Sequence, residues 1–552
     1  MCEVLFRQCS SLEKVFLNDF NSCEEYTSAS ALKGEEFSYQ IAYKSNIPRE
    51  QNGTRIPLKV KVESNLRDMI TIYLVGNVAS ELPAYPGKCD ENYITTKSGL
   101  FPDILRPIQD GEVTLFNSAY HSIWISVKIS ESCVAGKYPI KVTFLSEDSR
   151  VNEQKIFELE VIDNILPKQQ LIFTQWFHAD CIATYYGVKT FGEKHWKLID
   201  KFMEMAAEHG VNMLLTPVFT PPLDTEVGGE RPTVQLVDVT KEKDTYSFSF
   251  DKLIRWIDLG RKNGIKYFEI SHLFTQWGAV AAPKIVAEVN GKTEKIFGWD
   301  TKSDSKEYIE FLNCFLPKLI EVIKEKNIED SVYFHISDEP SAEQVESYKK
   351  ARDIIYRFIK DFKTIDALSD FEFYQKKLIE TPVCATNHIE PFINAKVEPL
   401  WAYNCCSQCD ENVSNRFMAM PSYRNRIIGY QLYKYGINGF LHWGYNFYYS
   451  VFSKKQINPF LVTDADGAYP SGDAFSVYPG KNGPIPSIRL KVFNEALQDI
   501  RAMELLENYM PKADIVRMID SVKPISFKEY PHCADYILNL REKINLCIKK
   551  MK

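Results

Sequence analysis

No apolar run of about 18 residues or more occurs anywhere in the chain, and no apolar stretch follows a basic start in "MCEVLFRQCSSLEKVF". Neither membrane insertion nor an export signal is indicated, so the expectation is a cytoplasmic protein, or a secreted one whose leader is absent from this sequence. Basic residues form no stripe, and 66 Lys and Arg against 73 Asp and Glu leave a net charge of -7. Nucleic acid is therefore not an expected partner. The 13 cysteines are an odd number without a repeating framework, which favours reduced thiols over a stapled module. Internal repeats and low-complexity tracts are also missing. What is abundant is aromatic surface: 30 Tyr, 34 Phe and 8 Trp in 552 residues, a folded composition with flat rings to spare for a sugar or similar ligand. The length predicts two or three domains.

Two patterns divide the chain. From about residue 35 to 165, short alternating runs such as "FSYQIAYKS", "IPLKVKVES", "SIWISVKIS" and "KIFELEVID" alternate with turn residues. They predict an antiparallel β-sandwich over residues 1–165. After "NILPKQQ" the pattern becomes strands separated by amphipathic helices. Eight strand candidates, "LIFTQWF", "VNMLLTPV", "KYFEISH", "VYFHIS", "TIDALS", "VCATNH", "LWAYNC" and "GFLHWGYN", predict a (β/α)8 barrel over 166–510. A helical segment over 511–552 completes a multidomain α/β protein.

The stretch "SVYFHISDEP" (331–340) runs from strand-forming residues into two adjacent acids and a proline. An unpaired buried carboxylate costs several kcal/mol or more, so Asp338 and Glu339 belong at the strand's open end. Pro340 predicts an extended Glu339, and Ser341 with Gln344 reads as a capping box for a helix over 341–362. The acids also suit a helix N-terminus through its dipole alone, and that plain reading stays open.

Barrel active sites form where strands pass into their following loops. Those ends carry Trp176 and His178; Pro217 and Thr220; His272 and Trp277; Asp338 and Glu339; Asp366; Asn387 and His388; Trp401, Tyr403 and Asn404; and His442, Trp443, Tyr445 and Asn446. Acids, amides and rings on one rim suit a sugar, whose C–H faces stack on aromatics while its hydroxyls need polar partners. Adjacent side chains on a strand point to opposite faces, so the two acids do not form the opposed pair of an ordinary glycosidase. They fit substrate assistance instead: Glu339 as acid then base, Asp338 stabilising a sugar 2-acetamido group that itself attacks the anomeric carbon. Tyr478, Asp473 and Arg489 are candidates to reach the cleft from the last loops, with a structural salt bridge an equal account of Asp473 and Arg489. Cys406 and Cys409 of "NCCSQC" (Cys405 onwards) have metal-knuckle spacing without a second pair, and "DADG" (464–467) lacks the closing Glu of a calcium loop, so a solvated turn is expected there. No metal and no cofactor is called for.

The "SDEP" corner, the sandwich segments "GLFPDILRPI" and "AGKYPIKVTF", and the later "GDAFSVYPG" followed by "PSIRLKVFNEALQDI" together resemble glycoside hydrolase family 123, the bacterial β-N-acetylgalactosaminidases. The resemblance spans about residues 35 to 510. It implies a sandwich before a barrel, Asp338 as the acetamide-orienting residue, Glu339 as the acid/base, and a glycan or glycolipid ending in β-linked N-acetylgalactosamine as substrate. Two alternatives remain at this stage: a non-catalytic glycan-binding protein, and a two-carboxylate glycosidase using an acid such as Asp366.

Overall fold

The computed structural model describes residues 4–20, 24–46, 55–108, 111–243 and 245–551. Two five-stranded sheets come first. One contains Val4–Ser10, Glu36–Ser45, His121–Lys128, Ile70–Ser80 and Gly99–Pro107, and the other Ser28–Lys33, Asn152–Ile165, Gly136–Leu145, Arg55–Glu63 and Glu112–Phe116. Period-2 alternation decides what faces what. In "RIPLKVKVE" it is Ile56, Leu58 and Val60 that are buried, in one cluster with Tyr39, Ile41, Ile123 and Ile125 of the opposite sheet. The Tyr39 and Phe157 rings stack across the two sheets at 4.2 Å. One pairing departs from the expected antiparallel arrangement: Asn152–Ile165 runs parallel to Ser28–Lys33, whose sequence "SASALK" has no strand signature of its own.

Eight short parallel strands then close a barrel: Ile172–Gln175, Met213–Thr216, Tyr267–Ile270, Val332–Phe334, Lys363–Ala367, Thr381–Ala385, Trp401–Tyr403 and Gly439–His442. They fall on the eight apolar runs of the sequence, because a strand covered on both faces is apolar throughout. Trp401 fills the interior across from Gly439, where an added Cβ would stand 2.1 Å from the indole. A four-stranded sheet of Asp238–Glu242, Thr245–Ser249, Ile285–Val289 and Lys292–Phe297, which the sequence pattern did not predict, is carried in the segments after the second and third barrel strands. No helix among the described residues is long and apolar enough to cross a membrane.

Helix Ile488–Leu506 is buried on nearly every side and joins barrel to sandwich. Its Arg489 forms a two-pronged ion pair with Asp103 of the sandwich at 2.8 and 2.9 Å and also donates to the carbonyls of Gly472 and Phe475. The expected pairing of Arg489 with Asp473 does not occur. Helix Ala534–Lys550 closes the other side: Arg541 bridges Asp499 and Glu35, and Glu542 accepts from Ser30. Breaking a buried pair strands a charge, so Asp103→Asn should lower stability by about 3 kcal/mol. The check is the thermal midpoint, and an unchanged midpoint would refute this account of the joint.

Candidate active site

The fourth barrel strand, Val332–Phe334, ends early, and buried His335, Ile336 and Ser337 carry the chain to the acids. Asp338 is 9% exposed, while Glu339 stands at the lip of the cleft in contact with solvent. Two backbone hydrogen bonds fix the corner: Trp277 N–H donates to the Asp338 carbonyl and Glu339 N–H donates to that of Ala367, both at 2.9 Å. Both are made by the one peptide group that joins the two acids, and directly after it Glu339 takes φ +43°, a left-handed conformation uncommon for a residue with a side chain. The extended Glu339 expected before Pro340 is therefore wrong. Proline disfavours the right-handed helical region, and with the preceding peptide group anchored to Trp277 and Ala367 the chain turns through the left-handed region rather than running on extended. Strand alternation fails for the same reason, and both carboxylates face one cavity. Asp224 and Trp277, which also line the cavity, share this left-handed backbone. The Ser341–Gln344 capping box is present, but the helix opens with one tight turn and becomes α-helical only at Val345–Ile359.

Five of the expected sugar-contact residues line that cavity with the acids: Trp176, His178, Trp277, Tyr403 and Trp443. Four of the five are held by specific hydrogen-bond partners. Trp176 Nε1 donates to Glu269 at 2.7 Å, Trp443 Nε1 to Asp473 at 2.8 Å, and the Tyr403 hydroxyl to Glu339 Oε1 at 2.8 Å. His178 Nε2 lies 2.9 Å from the Trp443 carbonyl, and its Nδ1 accepts from Arg231, which pairs with Asp180. Burial, followed by the Arg231 charge, pushes the His178 pKa down to about 3, so this imidazole is neutral. Leu223, Asp224, Gln276, Ala367, Cys405, Cys406, Leu441 and Tyr469 complete the wall. Asp224 and Tyr469, joined by a 2.7 Å hydrogen bond, had not been singled out in the sequence. Both lie on loops well past the strand ends, where no periodic signal marks them.

The other expected contacts are elsewhere. Trp401 is core. The Tyr445 hydroxyl donates to the Phe202 carbonyl and that of Tyr478 to Asp103, both in fully buried settings. His272 and His442 sit behind the cavity wall: His272 stacks on His335 at 4.1 Å, and His442 Nδ1 takes a hydrogen bond from Arg416. Asn387, bonded to Gln408, lines an adjoining depression that also touches Glu339 and Tyr403. In each case an aromatic or polar residue at a strand end served packing or support as well as it would have served a ligand. Asp366 is fully buried and occupied by His335, Tyr348 and the Ile336 N–H, so it is not a second acid across the cleft. Asp473 supports Trp443 from below, and burial raises its pKa to about 7. Asp464 of "DADG" is a buried turn residue accepting from Leu82 and Gly467, not a solvated one.

Burial raises the pKa of Asp338 well above the usual carboxylate range, and the neighbouring Glu339 charge adds to it. Glu339 reaches solvent as a residue, but its carboxyl group is directed into the cleft against Tyr403; desolvation there raises it as well, with the Tyr403 hydrogen bond pulling it back. The Glu339 charge disfavours ionisation of Asp338, so the two acids titrate as a coupled pair. One protonated acid beside one carboxylate is what proton donation plus cation stabilisation requires.

The sequence profile described as "Glycoside hydrolase 123, catalytic domain" matches residues 176–506. No curated protein sequence matches the chain. Among solved structures, a family 123 glycoside hydrolase from Clostridium perfringens, from a study of glycolipid glycan hydrolysis, has TM-score 0.74 and 17% identity, covering 99% of this chain and 97% of that one. At that identity the likeness establishes the shared fold. Bacteroides uniformis beta-glucuronidase 3 has TM-score 0.31 at 11% identity, covering 85% of this chain and 51% of its own. The endo-beta-1,4-mannanase from Thermotoga petrophila has TM-score 0.36 at 14% identity, with coverages of 60% and 77%. Neither of these last two bears on the site.

Proposed function

Because the chain belongs to glycoside hydrolase family 123, we propose that it is an exo-acting glycosidase that releases terminal β-linked N-acetylgalactosamine from glycans or glycolipids by a retaining, substrate-assisted mechanism. The observation that carries this reading is the placement of Asp338 and Glu339 side by side on one wall of an aromatic cavity, with Asp366 withdrawn into the core. The glycolipid substrate class is taken from the Clostridium perfringens relative. Trp176, Trp277, Tyr403 and Trp443 offer apolar faces to the C–H surface of the sugar. The acetamide oxygen attacks the anomeric carbon as the glycosidic bond breaks, and the departing oxygen takes the proton of Glu339. Asp338 faces the acetamide N–H and balances the positive charge of the resulting oxazolinium ring. Glu339, now ionised, removes a proton from water, which attacks the same carbon, reopens the ring and restores the acetamide with net retention.

A two-carboxylate glycosidase remains as a second reading, since Asp224 also lines the cavity. A panel of chromogenic β-N-acetylgalactosaminide, β-N-acetylglucosaminide and β-galactoside separates the two. Substrate assistance predicts that the galactoside, lacking the internal nucleophile, is turned over at least about 10³-fold more slowly, the scale of an intramolecular group placed for attack. Comparable rates on the galactoside would favour Asp224. Failure on all three, with binding retained, would favour a glycan-binding protein.

A further inference from the structure

Directly behind the acidic corner lies a buried cluster that the mechanism above does not use. His335, three residues before Asp338, sits between two carboxylates: its Nε2 is 2.5 Å from Glu269 Oε1 and its Nδ1 is 3.0 Å from Asp366 Oδ1. The side chains of all three are fully buried. Their other contacts determine where the protons are. Glu269 also accepts from Trp176 Nε1 and from the Thr174 hydroxyl. Asp366 also accepts from the Ile336 N–H and the Tyr348 hydroxyl. Both carboxylates are thus surrounded by donors, as ionised acceptors are, and a neutral imidazole has only one N–H to share between them.

We propose that His335 is a permanently protonated imidazolium and a positioning residue for the reaction, its charge offsetting the carboxylates around Asp338 and so favouring the Asp338 anion over its neutral form. The part concerning Asp338 rests on the substrate-assisted reading given above. Other features agree. His272 stacks on His335 at 4.1 Å and 25° with both its nitrogens unpartnered among the described residues, the arrangement of a neutral ring lying on a charged one. Burial would lower the pKa of His335, but Glu269 first and then Asp366 raise it to about 10. Burial, Glu339, Asp366 and Glu269 together push Asp338 well above the usual carboxylate range, and the His335 charge opposes them. His272, His335 and Asp366 also lie close enough together to suggest a metal site. A doubly protonated ring has no lone pair to give, so the imidazolium reading excludes His335 as a ligand.

Two measurements test this. Histidine ¹⁵N spectra of the intact protein at pH 8 should show one buried ring, assigned to His335 by selective labelling, with both nitrogens protonated. A singly protonated His335 there overturns the proposal, whatever the enzyme's substrate. The second is the pH profile of His335→Gln. Activity is lost on the acid side as Asp338 takes up a proton, and the imidazolium lowers the pH at which that happens. Removing it should move the acid limb of kcat/KM upward by about one pH unit and lower kcat at pH 7 by about 10-fold, with KM little changed. The loss should be similar for aryl and sugar leaving groups, because the anion on Asp338 serves both. A folded variant whose acid limb does not move overturns the proposal. If His335→Gln does not fold, the wild-type spectra decide alone.

Discussion

Glu339→Gln is expected to reduce turnover of substrates with sugar leaving groups by about 10³-fold, within the range that a positioned proton donor contributes, while activated aryl glycosides lose much less. The difference follows from the leaving oxygen. A sugar alkoxide cannot depart without the proton that Glu339 supplies, whereas a nitrophenolate can. Glutamine preserves the shape at the lip and can still accept the Tyr403 hydroxyl bond, so the corner should stay folded. Steady-state rates on one aryl glycoside and one disaccharide, with the melting temperature of the same preparation, are sufficient. Equal losses on both substrates would argue against Glu339 as the acid.

Asp338→Asn should slow the chemical step by about 10² to 10³ in kcat on both substrate types, comparable to removing one charge-stabilising group from a preorganised site. Asparagine keeps the size and one acceptor oxygen, so the affinity for free N-acetylgalactosamine should survive; what is lost is the anion that faces the oxazolinium charge. If Asp338 merely supported the following helix, the variant would lose about 1 to 2 kcal/mol of stability and keep its rate. A folded Asp338→Asn protein with near-normal turnover would overturn substrate assistance even if Glu339 proved essential.

The barrel was legible because parallel strands buried on both faces leave apolar runs, and the acids stood out because they end one such run. The backbone at Glu339 was not legible. Its left-handed turn comes from hydrogen bonds to Trp277 and Ala367, residues distant in sequence, and local propensity favoured the opposite conformation. Rings at strand ends were assigned to the ligand too freely. Trp401, Tyr445 and Tyr478 have the same local sequence character as Trp176 and Trp443, and only packing separates core from cleft. Asp224 and Tyr469 were missed for the converse reason, since tertiary folding alone brings the "PPLDTE" and "DGAYP" loops together. In the sandwich, "SASALK" pairs as a strand because Asn152–Ile165 offers it an open edge, not because its residues favour one.

The pairing of Glu35 with Arg541 also has a consequence for biosynthesis. The two residues are 506 positions apart, which at roughly 5–20 residues per second corresponds to about 25–100 s of translation. For that interval the nascent sandwich holds Glu35 without its guanidinium partner. Asp499, made later, already has the Arg426 guanidinium and gains that of Arg541 when the last helix emerges. The sandwich is thus synthesised first and locked last, its seam closing when the ribosome delivers the helix that carries Arg541.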